Sequence, residues 1–381
     1  MSRRIFVSCG EASGDLYAAA LLGELRKLDR DVECFGLGGD QLAQAGAELL
    51  VTLDEISVIG LVEVLEKLPA LHRAKKKLLE AVRQRRPDAA VLIDFSGFNL
   101  RLGRSLKALG IPIVYYVSPQ VWAWRRGRVK AIREIVDKML VILPFEEEFY
   151  RREGVPVRFV GHPLRDMVRP QEDRQSFCKK SGLDSERPIV AVLPGSRRRE
   201  IGLHLPILAR SIEMMMDERP ELQFLVVQAP TISRAQILSG LGEVAEQVQI
   251  LAGSADEGLA HASVAIVASG TATVEAAICG TPMVVVYRTS QLSYFLGKPF
   301  VRVPHYAMVN LIAGKRLVPE LMQDEMTDRA VAHETLQLID NAAAAGAMRQ
   351  GLEEVKARLG ESGASRRAAE EVMAIASEKR I

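Results

Sequence analysis

Short apolar runs, each followed by a turn and a helical stretch, recur along this chain, and that alternation restricts it to one fold class. The clearest unit spans residues 264–287. Val264-Ala265-Ile266-Val267 is apolar at every position, which marks a strand buried on both faces. The small residues Ala268-Ser269-Gly270-Thr271-Ala272-Thr273 then open a helix that ends near Gly280, and Thr281-Pro282 leads into a second strand, Met283 to Tyr287. A strand, a small-residue turn and a helix N-terminus make an anion site, because free backbone N–H groups and the helix dipole point at whatever sits there. Glu275 lies one turn further in, where a carboxylate would hold two neighbouring hydroxyls such as a ribose diol. The plainer reading is a helix start carrying an ordinary surface Glu.

The same alternation runs through both halves. In the first, strands are expected at Arg4–Ser8, Val32–Leu37, Asp88–Asp94, Ile113–Val117, Lys138–Leu143 and Val157–Val160; in the second, at Ile189–Leu193, Phe224–Val227, Val248–Leu251, Val264–Val267 and Met283–Val286. The result is α/β: two doubly wound, Rossmann-like domains facing each other, with C-terminal helices. At 381 residues the chain exceeds one typical core, which agrees. The polar, patternless stretch 165–187 sets the boundary between a first domain, 1–168, and a second domain, 186–345, with closing helices over 346–381.

Candidate sites fall at strand ends. Gly10, Ser13, Gly14 and Asp15 form a small-residue turn after the first strand that lacks the G-x-G-x-x-G spacing of a dinucleotide site. Asp94 ends a buried strand, the position where open α/β sheets place ligands. Both tryptophans lie in one loop, Ser118-Pro119-Gln120-Val121-Trp122-Ala123-Trp124-Arg125-Arg126, which reads as a binding surface or a structural plug. His162, before Pro163, reads as a ligand, a base or a hydrogen-bonded loop residue. Pro194 to Glu200 is a second anion candidate: Gly195 lets the backbone approach a phosphate, Ser196 follows, and Arg197 begins a run of three arginines. Two such turns with a ribose carboxylate in one domain fit a nucleoside diphosphate, and the cleft between the domains is the expected place for chemistry.

Composition excludes other classes. Net charge is +2, so no global field points to nucleic acid. Cys9, Cys34, Cys178 and Cys279 form no C-x-x-C and read as reduced thiols of a cytosolic protein. There is no signal-peptide pattern and no apolar run of spanning length. Asp29-Arg30-Asp31 is a formal D-x-D, but it precedes a strand where a metal-dependent transferase would have it follow one, so it reads as a solvated loop. Residues 56–79 place Val58, Leu61, Val62, Leu65 and Leu68 at helical spacing; Pro69 restarts the helix, and Arg73, Lys75, Lys76 and Lys77 follow. Two readings fit: a helix lying on an anionic membrane surface, or a core helix with a solvated basic end.

Six segments together resemble the lipid-A-disaccharide synthase family: Gly10–Asp15, Tyr116–Arg125, Gly161–Leu164, Leu193–Arg197, Ser269–Thr273 and Asn310–Ala313. The resemblance covers nearly the whole chain in order, and the Ser-Pro-Gln-Val-Trp-Ala-Trp loop is its most specific part. The helix with Glu275 is also similar to that of other UDP-sugar transferases of the two-Rossmann (GT-B) type. The resemblance implies an inverting glycosyltransferase without metal or cofactor. It would transfer 2,3-diacylglucosamine from UDP-2,3-diacylglucosamine to 2,3-diacylglucosamine 1-phosphate (lipid X), giving the β-1,6-linked disaccharide 1-phosphate and UDP. It further implies Gly195, Ser196, Arg197 and the turn Ser269, Gly270, Thr271, Thr273 on the diphosphate, Glu275 on the ribose, Asn310 in the substrate site, and Asp94 with the 10–15 loop on the acceptor side. Asp94 and His162 are the rival general bases. Work at the inner face of the cytoplasmic membrane through residues 58–77, an acceptor-binding role for the first domain, and a homodimer complete the implied picture, with the C-terminal helices either crossing back to the first domain or exchanged in the dimer. A UDP-N-acetylglucosamine 2-epimerase on the same architecture is the alternative.

Overall fold

A computed structural model describes residues 3–56, 61–122, 127–253, 255–290 and 304–378, with backbone alone for 61–67. Among these residues the chain divides into two compact units. One runs to Arg165 and takes the chain back at Leu359; the other runs from Asp166 to Arg358.

The first unit is built on a seven-stranded parallel sheet. Its strands are β1 (Arg4–Cys9), β2 (Glu33–Gly38), β3 (Glu48–Thr52), β4 (Ala89–Ile93), β5 (Ile113–Tyr116), β6 (Lys138–Val141) and β7 (Val157–Phe159), in the spatial order β3-β2-β1-β4-β5-β6-β7. The second unit carries six parallel strands, β8 (Ile189–Leu193), β9 (Gln223–Gln228), β10 (Gln249–Ala252), β11 (Val264–Ala268), β12 (Met283–Tyr287) and β13 (Glu320–Met322), in the order β10-β9-β8-β11-β12-β13. Each sheet therefore reverses its winding once, between β1 and β4 and between β8 and β11. Register brings Cys9 beside Ile93 and Leu193 beside Val267, so the residues that follow these strands are neighbours. The central strands β4, β8 and β11 are buried along their whole length, as their unbroken apolar sequences require.

Four elements differ from the sequence reading. β3 and β13 are short edge strands with partly polar sequences, Glu48-Leu-Leu-Val-Thr52 and Glu320-Leu-Met322, too short to stand out by periodicity. The stretch 165–187 is not patternless: it contains a helix, Arg174–Ser181, started by the Asp173 carboxylate accepting from Ser176 N–H and pinned by Phe177 and Cys178 against Ile189 and Leu225. Pro69 does not restart a helix; one helix runs from Leu61 to Arg85 through it. The proline forfeits one intrahelical bond, a cost of about 3 kcal/mol. Downstream, Ala74, Leu78, Leu79 and Val82 bury themselves in the first unit's core and offset it.

The helix Ala342–Arg358 packs in the second unit against the helices Ala272–Cys279 and Met308–Ala313, whereas the last helix, Ala364–Glu378, packs on Ala12–Leu28 in the first. Arg367 fastens this return by donating to the carbonyls of Val160, Glu361 and Ser362.

The helix Leu61–Arg85 yields a direct test. Leu78 is fully buried and Leu68 is 40% exposed. Leu78→Ala should cost about 2–5 kcal/mol of stability in urea unfolding, and Leu68→Ser no more than about 0.5 kcal/mol.

Candidate active site

In the first unit, the turns after β1 and β4 form one surface. Gly10 has no side chain because Phe95 lies over it: a Cβ there would fall 2.1 Å from the Phe95 ring. Ser13 and Gly14 occupy the first turn of the helix Ala12–Leu28. Asp15 is buried, and its carboxylate accepts the backbone N–H groups of Gly39 at 2.7 Å, Gln41 at 3.0 Å and Leu42 at 3.3 Å. It thus caps the short helix Asp40–Gln44 and couples the end of β2 to the end of β1, which fully explains a carboxylate in this interior position.

Asp94 is half-buried at the end of β4, and its backbone is unusual. Asp94 and Phe95 are both left-handed, with φ of 42° and 45°, and Val117 at the end of neighbouring β5 has φ 61°. Each such residue stores about 1–3 kcal/mol of strain and persists only where its surroundings over-determine it. The surroundings here are Asn99 and Tyr115. The buried Asn99 amide donates to the carbonyls of Ser8, Ile93 and Asp94 at 3.0–3.1 Å and accepts from Ser8 Oγ at 2.7 Å. Tyr115 Oη donates to the Asp94 carbonyl at 2.5 Å. Sequence reading missed Ser8 and Asn99; the available signal was a polar residue inside the apolar run Phe98-Asn99-Leu100.

His162 is buried, and its Nδ1 accepts the N–H of Leu164 at 3.3 Å. Burial pushes its pKa down to about 3. The ring is therefore neutral with its proton on Nε2, since Nδ1 is the acceptor. Its edge meets Tyr17, ring centres 6.0 Å apart. Trp122, the described tryptophan of the Ser118–Trp122 loop, donates its indole N–H to buried Glu146 at 3.0 Å and packs edge-on against Phe145. Burial pushes Glu146 up to about 7. Trp124 lies outside the described residues, as does Val58; of the apolar stripe, the described side chain is Leu68.

In the second unit the turns after β8 and β11 are the neighbours. Gly195 has φ 123°, a conformation a side chain would strain, and Ser196 and Arg197 follow it, exposed. Arg197 is the N-cap of the helix Arg198–Glu218. Glu200 in its first turn accepts from the N–H groups of Ser196 and Arg197 and pairs with the Arg197 guanidinium at 2.9 Å. Across the register, Ser269 N–H donates to Val286 O, and Thr273 Oγ1 donates to Gly270 O at 2.8 Å, so Thr273 shapes the turn from beneath while Gly270 and Thr271 form its surface. Glu275 is half-buried one turn along; burial, then the charge of Asp256, pushes it up to about 7.

Asn310 is not at the surface of this site. Its amide is fully used inside its own loop, donating to Val318 O and Glu320 and accepting from Leu317 and Val318 N–H. Its link to the site is indirect. Glu320 also accepts the N–H groups of Tyr306 and Ala307, and Ser269 Oγ donates to Tyr306 O at 3.3 Å. Asp29 of the formal D-x-D is paired with Arg3 at 2.9 Å.

Comparison with known proteins decides the family. A family model described as lipid-A-disaccharide synthetase matches residues 5–376. This chain belongs to the lipid-A-disaccharide synthetase family. The lipid-A-disaccharide synthase of Myxococcus xanthus is 45% identical over 99% of both chains. That of Solibacter usitatus is 43% identical over 96% of both. Among solved structures, the UDP-GlcNAc 2-epimerase from Neisseria meningitidis bound to UDP-GlcNAc superposes with a TM-score of 0.70 at 12% identity, covering 98% of this chain and 100% of that one. A calicheamicin glycosyltransferase gives 0.62 at 17% identity over 100% and 99%. At such identities the likeness shows the fold, which is the two-Rossmann GT-B type. The family makes the protein a glycosyltransferase of lipid A biosynthesis.

The neutral, buried His162 has a consequence for stability. The unfolded chain takes up a proton at this histidine below about pH 6.5, whereas the folded chain resists it until about pH 3. Its contribution to stability is therefore complete above pH 6.5 and is lost progressively as pH falls towards 3, at up to about 1.4 kcal/mol per pH unit. Urea unfolding between pH 7 and 5 should show a shallower pH dependence in His162→Gln than in the wild type. Equal slopes would place the proton elsewhere.

Proposed function

We propose that the protein transfers 2,3-diacylglucosamine from UDP-2,3-diacylglucosamine to the 6-hydroxyl of lipid X, releasing UDP and the β-1,6-linked disaccharide 1-phosphate. The carrying observation is the second unit's switch point, where two anion-type turns end β8 and β11 and a half-buried carboxylate stands one helical turn beyond. In this reading the diphosphate rests on the Gly195–Arg197 and Ser269–Thr271 turns, and the ribose hydroxyls donate to Glu275. Arg197 and the backbone N–H groups stabilise the charge that grows on the leaving phosphate, with no metal required. The acceptor oxygen attacks the anomeric carbon as the bond to UDP breaks, inverting that centre, and its proton passes to a carboxylate.

Asp94 is the base we assign. It ends a strand at the first unit's switch point, and its backbone is clamped by Asn99 and Tyr115 in a conformation that costs energy. His162 argues against itself: its Nδ1 is occupied and its Nε2 already carries the proton, so a neutral ring has no free lone pair to offer. Gly10, Ser13 and Gly14 line the same surface, with Asp15 holding it in shape. Because both substrates are acylated, the proposal includes docking on the inner face of the cytoplasmic membrane through residues 58–77, where Arg73, Lys76 and Lys77 are exposed. Among the described residues no helix is long and apolar enough to cross a membrane. A homodimer belongs to the same proposal, and sedimentation analysis tests it. Likeness to epimerases rests on fold alone, whereas the family match spans residues 5–376; UDP-N-acetylglucosamine should accordingly not be epimerised.

Two measurements test the assignments. Asp94→Asn should lower turnover by roughly 10²–10⁴-fold with UDP affinity and melting temperature retained. His162→Asn should lose stability yet keep turnover per folded molecule. A near-normal Asp94 variant beside a dead His162 variant would reverse the assignment. For Glu275, uridine is the cleaner probe because it carries no titrating phosphate. The ionised carboxylate is the better acceptor for two hydroxyls, so uridine affinity should rise between pH 6 and 8 as Glu275 loses its proton near 7. In Glu275→Gln it should be weaker and flat; a flat wild-type profile would detach Glu275 from the ribose.

A further inference from the structure

The first two turns of the helix Arg198–Glu218 carry two buried polar side chains, Glu200 and His204, for which the roles above have no use. They are four residues apart and so project from one face of the helix. Glu200 Oε2 accepts from the N–H groups of Ser196 and Arg197, each at 3.3 Å, and Oε1 accepts from Arg197 Nη1 at 2.9 Å. His204 Nδ1 lies 2.7 Å from the carbonyl of Pro194, which can only accept, so Nδ1 carries the proton. Burial holds His204 below the usual histidine range, leaving Nε2 bare, and Nε2 accepts the N–H of Arg288 at 2.9 Å. The ring also packs edge-on to Tyr287, centres 5.7 Å apart.

The plain account makes Glu200 a helix cap and His204 a satisfied core histidine. Two observations go further. First, these polar contacts all end on residues 194–197 or on Arg288. Pro194 follows β8 and Arg288 follows β12, the two strands that flank β11 and its Ser269 turn. The imidazole therefore fixes the spacing of two strand ends on either side of the strand that carries the second anion turn. Second, a cap needs only an acceptor oxygen, and Gln serves as well as Glu in that position. What the charge of Glu200 adds is a hold on the Arg197 guanidinium. An arginine ordered before its ligand arrives has less rotamer freedom to lose on binding.

We propose that Glu200 and His204 are positioning residues that hold the 194–197 turn, and the guanidinium of Arg197 with it, in the geometry the donor's diphosphate requires. The proposal rests on the reading of the second unit as the UDP-sugar site. Neither residue touches the reacting atoms; Glu200 acts through Arg197, and His204 through the backbone of Pro194 and Arg288.

The test separates the diphosphate from the nucleoside. UDP and uridine are titrated calorimetrically into the full-length wild type, Glu200→Gln and His204→Gln, with melting temperatures alongside. Glu200→Gln keeps an acceptor for the turn's N–H groups and loses the charge on Arg197. His204→Gln can satisfy Pro194 or Arg288 but not hold both at the original spacing. UDP should bind about tenfold more weakly to each variant, the scale of losing one hydrogen bond to a charged group, with uridine affinity unchanged. Parallel loss of UDP and uridine would mean that the helix has merely loosened, and would overturn the proposal. So would unchanged UDP affinity, or tighter UDP binding by Glu200→Gln, which would make the carboxylate a competitor of the phosphate. A wild type that binds neither probe removes the donor-site reading and this proposal with it. A wild type that binds UDP no better than the two variants removes this proposal alone.

Discussion

Each unit depends on one topological constraint, the reversal of winding between two neighbouring parallel strands. Where β1 meets β4, and where β8 meets β11, the connecting chains leave to opposite sides of the sheet, and the two carboxyl ends between them stay uncovered. Backbone N–H groups at these ends cannot all be satisfied by the sheet or by the first turn of the following helix. Gly195 and Gly270 stand there because the backbone itself is the surface, and Gly10 because the Phe95 ring packs directly over it. Everything else that distinguishes the two sites is a way of holding these exposed ends in place.

The holding is done by buried polar side chains bonded to backbone. Asp15 caps the turn after β2, Asn99 gathers the carbonyls of Ser8, Ile93 and Asp94, Glu200 and His204 brace the turn after β8, and Asn310 with Glu320 supports the loop that meets Ser269. Burying such groups is expensive unless each finds its partners. Here the partners are almost entirely main-chain atoms, so the side chains fix loop geometry without adding reactive groups. Asp94 and Glu275 differ: both remain half-buried at the surface of their sites.

That division also explains what was legible in the sequence. The strands with unbroken apolar runs were readable because burial on both faces leaves no other composition; β3 and β13, short and at sheet edges, carry no such mark. The turns at Gly10, Gly195 and Ser269 were readable because close backbone approach demands small residues. The supports were not, because what identifies Asn99, Glu200 or His204 is where their partners sit, and those are brought together by the fold. Asp15 and Asn310 were expected as substrate-site residues, but the partners of their side chains are internal and were not legible: Gly39, Gln41 and Leu42 in one case and Leu317, Val318 and Glu320 in the other. His162 was ambiguous for a related reason, since a loop histidine is a base or a structural acceptor according to its burial.

The electrostatics of the two remaining carboxylates bear on the proposed reaction in different ways. Glu275 is kept near 7 by burial and by Asp256, so without ligand it is only partly ionised at neutral pH. Hydroxyl donors favour the charged form. A ribose bound there would draw the pKa down and expel a proton, so part of the binding energy would go into ionising the group. That expenditure tightens discrimination: a ligand lacking either hydroxyl would meet a half-protonated carboxyl and leave the ionisation uncompensated. Asp94 is arranged for a different end. Its carbonyl, not its carboxylate, takes the bonds from Asn99 and Tyr115. The backbone is thereby held in a left-handed turn, with the Phe95 ring stacked on Phe98 beside it. In the proposed reaction such a carboxylate would be aimed by its own main chain, which suits the taking of a proton from a hydroxyl that ionises only when the sugar begins to leave.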